Sequence, residues 1–166
     1  MRRILAFLLF FQTPVFALDF GNDGGASIGS GSVTDANINS AADILKTQFT
    51  LTLNGGGSAI TTGFKSDSMV RLSSDMTVQG WEVTAAGPGS LVVDIYCSSS
   101  ISTYPPAVAN TITGTDKPTL VSVIKSTSAA LTGWTTALNA GQWCVPNVDS
   151  VTTTTAAVVA VYGIRR

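Results

Sequence analysis

Histidine is absent from this 166-residue sequence, and Glu82 is its only glutamate. Those absences remove the side chain that titrates near neutrality, the imidazole metal ligand and every Ser-His or Cys-His couple. No catalytic site is legible, and the sequence reads as a non-enzyme without a cofactor. Charge is scarce as well: charged residues are 11 % of the chain, against about 25 % in an average soluble domain. Nine cations scattered along a chain of net charge −1 leave no electrostatic footprint for nucleic acid. Only two cysteines occur, Cys97 and Cys144, with no Cys-x-x-C spacing and no histidine to suggest zinc. They are either bridged or two buried thiols packing as small hydrophobes. The sequence also lacks an Asn-x-Ser/Thr acceptor for N-glycosylation.

What is present instead is hydroxyl and glycine. Ser and Thr supply 40 residues and Gly another 16, so neutral hydroxyls rather than ions keep the folded surface wet. The length suits one domain. Residues 1–17 have the layout of a secretory signal peptide: Arg2 and Arg3, the apolar run Ile4 to Phe11, and the small-residue ending Val15-Phe16-Ala17. The alternative is an N-terminal anchor or assembly helix, although the run is shorter than the roughly 20 apolar residues of a spanning helix. Residues 18–47 are rich in Gly, Ser, Asn and Asp and bury too little to offset chain entropy, which predicts a flexible arm. Within it, Ala41 to Lys46 has room for one helical turn.

From Gln48 onward the pattern is that of strands. Phe49-Thr50-Leu51-Thr52-Leu53 alternates at period two and stops at Asn54-Gly55-Gly56-Gly57, a turn. That glycine run lacks the Lys and the strand-to-helix context of a phosphate loop. Met69 to Leu72 and Met76 to Val83 repeat the alternation, and Gly80 marks a parity change of the kind a β-bulge produces. Pro88-Gly89 reads as a turn. Beyond it, Leu91, Val93, Ile95 and Cys97 share one face of a strand, with Val92, Asp94 and Tyr96 on the other. Tyr104-Pro105-Pro106 is loop. Val108 to Ala130 suggests short irregular strands, with a loop lying over one end of the core as the alternative for Thr119 to Lys125. Regularity returns at Leu131 to Thr136, Asn139-Ala140-Gly141 turns, and Trp143 to Val148 is a strand whose Pro146 argues for an edge or a bulge. Val151 to Ile164 reads as one long closing strand, with Val151, Val159 and Val161 facing opposite to Val158, Tyr162 and Ile164. The expectation is therefore all-β: an antiparallel β-sandwich or jelly roll over residues 48–166, preceded by the arm.

Several of these segments carry a resemblance. Leu53 to Gly63, Gly89-Ser90-Leu91-Val92-Val93-Asp94-Ile95, Tyr104-Pro105-Pro106 and Thr111-Ile112-Thr113-Gly114 are followed in order by Lys117-Pro118, Leu131-Thr132-Gly133-Trp134-Thr135-Thr136, Ala140-Gly141 and Asn147-Val148-Asp149-Ser150. This series, from Phe49 to the C-terminus, resembles the C-terminal β-sandwich domain of bacteriophage tail-fibre and minor virion proteins. The resemblance implies a tail, spike or decoration component on a virion surface, and the signal-peptide layout of residues 1–17 adds export as the route to it. It further implies a homo-oligomer, a trimer first, partnered by other virion structural proteins and adhering to host-surface glycans, with no enzyme activity. The alternative is a secreted or periplasmic bacterial carbohydrate-binding module working as a monomer.

Candidate site residues are few. Tyr96, Tyr104 and Trp134 are the aromatics singled out as able to stack on a sugar, beside Trp81 and Trp143, although a small sandwich needs such residues in its core. Asp94, Asp116 and Asp149 are carboxylates that could face Ca²⁺, but no closely spaced Asp-x-Asp run supports it, and turn capping is the expected role. The low charge and the mean hydropathy of +0.34 lead to an expected oligomer in which another chain buries part of Ala156 to Ile164.

Overall fold

The computed structural model describes residues 45–99 and 105–166. Residues 1–17, where a signal peptide or anchor was expected, nearly all of the expected arm and Tyr104 lie outside these described residues, as does most of the expected helical turn at 41–46, whose last residue, Lys46, is already in a strand. Strand β1 spans Lys46–Asn54. Phe49, Leu51 and Leu53 turn inward and are buried while Thr50 and Thr52 are exposed, as period-two alternation requires. Asn54 Oδ1 then accepts the Gly56 amide at 2.8 Å, and Gly56 and Gly57 take φ of 65° and 90°, a region open to glycine at no steric cost.

Two short strands follow, β2 (Gly63–Phe64) and β3 (Val70–Arg71), before β4, which runs unbroken from Met76 to Ser98. After it come β5 (Thr119–Ser128), β6 (Ala137–Leu138), β7 (Trp143–Thr152) and β8 (Ala156–Arg165). All eight strands of the described residues belong to one antiparallel sheet. The chain is thus all-β, and β4 is its spine. One edge of β4 is taken by β7, from Ser90 to Ser98, and by β8, from Met76 to Ala85. The other edge is taken by β5 and β6. β1 flanks β8, and β2 and β3 flank β7. The sheet curls until β1 meets the 3₁₀ turn at Ser66–Ser68, where the Ser68 hydroxyl donates to the Thr52 carbonyl.

Four expectations need correction. Pro88-Gly89 does not end a strand. The punctuation acts on β4's partners: pairing with β8 stops at Ala85 and pairing with β7 resumes at Ser90, so the missing proline N–H falls in a gap of the ladder. The expected closing strand is accordingly two, β7 and β8, broken at 153–155, where Thr153 has a φ of 58°. For Thr119 to Lys125 the loop alternative is overturned and the strand reading holds, since the segment is most of β5. Leu131 to Thr136 is a turn held by Trp134 N–H to Leu131 O.

The bulge at Gly80 is present: Val78 pairs with Gly163 and Gly80 with Tyr162, leaving Gln79 as the extra residue. A second register shift leaves Asp149 as the extra residue of β7, since Val92 pairs with Ser150 and Val93 with Val148. Pro146 sits in a strand flanked on both sides, between the stretches paired with β2 and β3, and its carbonyl accepts the Lys65 amide at 3.0 Å.

The core gathers inward residues of the whole curled sheet, among them Leu51, Val83, Leu91, Ile95, Val148 and Val161. Gly163 fixes how closely β8 approaches β4. A Cβ there would lie 2.1 Å from the Thr77 carbonyl oxygen, a backbone atom that cannot swing away. Gly163→Ala is therefore expected to lose about 2–3 kcal/mol, the cost of overpacking, read as a lower denaturation midpoint. An unchanged midpoint would show that the strands separate freely.

Candidate functional site

The aromatics favoured by sequence are mostly structural. Tyr96 and Trp134 are each 8 % exposed, and the Trp134 indole donates to the Asp116 carbonyl at 2.8 Å, so its polar edge is spent inside the fold. Trp81 is buried, with no partner for Nε1 among the described residues. Trp143 is half-buried at the start of β7. Neither Tyr96 nor Trp134 offers a ring face to a ligand.

Cys97 and Cys144 are joined by a disulfide with a Cα–Cα distance of 4.1 Å. The two residues are direct cross-strand partners on β4 and β7, and the bridge locks the end of the spine to the strand beside it.

One polar cluster is built with unusual completeness. Asp94, 3 % exposed on β4, accepts from the Thr111 hydroxyl at 2.5 Å and the Thr113 hydroxyl at 2.6 Å. Its Oδ1 also accepts the Ile95 amide at 2.8 Å, and its Oδ2 receives the Lys117 ammonium at 2.8 Å. The Lys117 Nζ reaches Asp149 Oδ2 at 2.7 Å, and Asn147 Nδ2 donates to the other Asp149 oxygen. Asp149 is the extra residue of the bulge in β7. Burial alone would raise the Asp94 carboxyl, but the hydrogen bonds from Lys117, Thr111 and Thr113 and the lysine charge outweigh it and hold the group below its ordinary 3.8. Lys117 is pushed well above its usual range by its hydrogen bonds to Asp149 and Asp94, against its own desolvation. Burial, and after it the charges of Asp94 and Asp149, raise the Tyr96 phenol.

This cluster ties the segment from Thr111 to Lys117 onto the sheet. Of the three carboxylates weighed for Ca²⁺, Asp94 and Asp149 do meet, but around an ammonium, and Asp116 accepts instead from the Ser128 hydroxyl. Among the described residues no group of three His, Cys, Asp or Glu side chains is placed to hold a metal.

The other notable surface is the edge of β5, which among the described strands pairs only with β4. Val121, Val123 and Ile124 are 69 %, 43 % and 53 % exposed. An open groove of about 710 Å³ runs beside Val121 and Val123, lined also by Thr115, Asp116 and Lys125. Lys125, the only charge on this strand, is held by Glu82 at 2.9 Å. By contrast β8, part of which was expected to be buried by another chain, lies between β1 and β4 with both backbone edges paired.

No protein-family model and no curated protein matches the chain. A solved complex of the Aeromonas sobria serine protease and its chaperone is similar at 12 % identity and a TM-score of 0.33, over 73 % of this chain. The chain spans only 27 % of the length of that neighbour, and a likeness of this size carries no argument about either fold or function.

Proposed function

We propose that this protein is a structural component of a virion, a tail, spike or decoration subunit, which assembles with copies of itself and presents its surface to host glycans. The observation that supports assembly is the edge of β5. A ten-residue strand paired only with β4 among the described strands leaves a row of amides and carbonyls open to another chain, and three exposed apolar side chains make that edge unfavourable to leave in water. Its single charge is already engaged by Glu82 and does little to repel a copy. The resemblance from Phe49 onward supports the virion setting, and a disulfide suits a protein that passes through an oxidising compartment.

Light scattering on the mature protein is expected to give a defined oligomer at micromolar concentration, with a trimer expected from the resemblance. Val121→Lys with Ile124→Lys should shift it to monomer while leaving thermal stability within about 0.5 kcal/mol, as for other exposed positions. A monodisperse wild-type monomer would overturn assembly and favour the secreted carbohydrate-binding module. Labelling of purified particles with an antibody to this chain tests the virion setting separately.

A further inference from the structure

We propose that the cleft beside Tyr162 on the outer face of β1, β8 and β4 binds the pyranose ring of a neutral glycan. The inference rests on the reading of the protein as a surface module and assigns that contact to named residues. Tyr162 pairs with Gln48 of β1 on one side and Gly80 of β4 on the other. A Cβ at Gly80 would fall 2.3 Å from the Tyr162 Oη and 2.5 Å from its Cζ, so the phenol end of the ring lies across the main chain where a side chain would otherwise stand. The absence of that side chain lets the ring settle against the sheet, and Tyr162 stays half-buried. Bulging at Gln79 places an additional exposed carboxamide next to it.

The resulting cleft, of about 500 Å³, is lined by Lys46, Thr47, Gln48, Gln79, Tyr162 and Gly163. Its size is within the range of small-molecule sites. Gln48, Gln79 and Tyr162 make no side-chain hydrogen bond to the described residues, so two amides and a phenol keep donors and acceptors for a ligand. A pyranose presents an apolar face of C–H groups and a rim of hydroxyls that both donate and accept. A supported aromatic ring matches the face, and carboxamides, which also both donate and accept, match the rim. Charged ligands have less to recognise here, because the two residues flanking the ring are neutral amides and Lys46, the one charged residue of the lining, is already engaged. A single ring on so shallow a site should bind at millimolar concentration, and an oligomer presenting several copies would multiply the avidity.

The test is a titration of the isotope-labelled full chain, followed by amide NMR, with methyl β-glucoside, methyl β-galactoside and methyl N-acetyl-β-glucosaminide in turn. At least one is expected to shift Gln48, Gln79, Gly80, Tyr162 and Gly163 together. Tyr162→Ala should weaken that binding at least about tenfold and Tyr162→Phe should keep most of it, with Gln79→Ala, on an exposed side chain, as the variant that leaves folding untouched and weakens binding several-fold. Binding that survives both Tyr162→Ala and Gln79→Ala would overturn this site and leave the adhesion reading standing. No shift with any of the three glycosides would overturn the cleft as a pyranose site, while labelling of the particle still decides the structural role by itself.

Discussion

Reduction of the Cys97–Cys144 bridge is expected to cost about 4 kcal/mol of folding stability. The two cysteines are 47 residues apart, and closing a loop of that length in the unfolded chain removes entropy worth about 4 kcal/mol at room temperature. In a domain whose whole stability is on the order of 5–15 kcal/mol, that is a large share. The enclosed segment contains β5, β6 and the Asp94-bound residues Thr111, Thr113 and Lys117. Most of what β4 pairs with on its β5 side is therefore held inside this loop. Denaturant titration with and without reductant should show a clear drop in midpoint, and the double variant Cys97→Ala with Cys144→Ala should start at the lowered midpoint and ignore reductant. Equal midpoints in both conditions would mean that the bridge does not constrain the unfolded chain.

Asp94→Ala is expected to be nearly as damaging, at about 3 kcal/mol. Removing one member of a buried ion pair generally costs about 3–5 kcal/mol. The lower end applies because the Lys117 side chain is 29 % exposed and keeps Asp149. The loss also strands the Thr111 and Thr113 hydroxyls, which both donate to the missing carboxylate. A pH dependence accompanies this. The folded Asp94 carboxyl lies below its ordinary 3.8, so the folded state favours the ionised form. The stability it contributes is fully present above that ordinary value and is lost as the pH falls through the folded one. Lys117 has the opposite sign: raised above its ordinary 10.5, it contributes below that value and loses the contribution only in strong alkali. Wild-type stability should therefore fall on acidification below about pH 4, and Asp94→Asn should flatten that acid limb. An acid limb unchanged by Asp94→Asn would assign it to other carboxylates.

The strands that were legible in the sequence are those whose two faces meet different surroundings. In Phe49 to Leu53 alternating burial in the structure follows alternating chemistry in the sequence, whereas in Val158 to Tyr162 burial alternates along a run that is apolar throughout. The bulge at Gly80 was legible for the same reason, since a shift of one residue moves every later side chain to the other face. β5 escaped this reading. Most of its side chains are exposed on an edge, so no inward set of apolar residues marks the period. Pro88 and Gly89 were legible as a break, but which of three neighbouring strands would break there depends on register.

The candidate site shows the same division. Asp94 lies in a strand face where a carboxylate ordinarily points to water, and its burial is made acceptable by Thr111, Thr113 and Lys117, which lie 17, 19 and 23 residues away. Tyr96, Trp134 and Tyr162 look alike as aromatics in a hydroxyl-rich sequence. Only packing distinguishes them, burying the first two and leaving Tyr162 half-buried across a glycine.

By itself the sequence determined an all-β chain with little charge, no histidine and one pair of cysteines, because composition and period-two alternation act through neighbouring residues and need no knowledge of the partner strand. Only the tertiary structure decided that the cysteines face each other, that among the described strands β5 has an open edge while β8 has none, and that Lys117 rather than a metal lies between Asp94 and Asp149. Each of these depends on strand register and on contacts between residues tens of positions apart, which local pattern leaves undetermined until the whole sheet has paired.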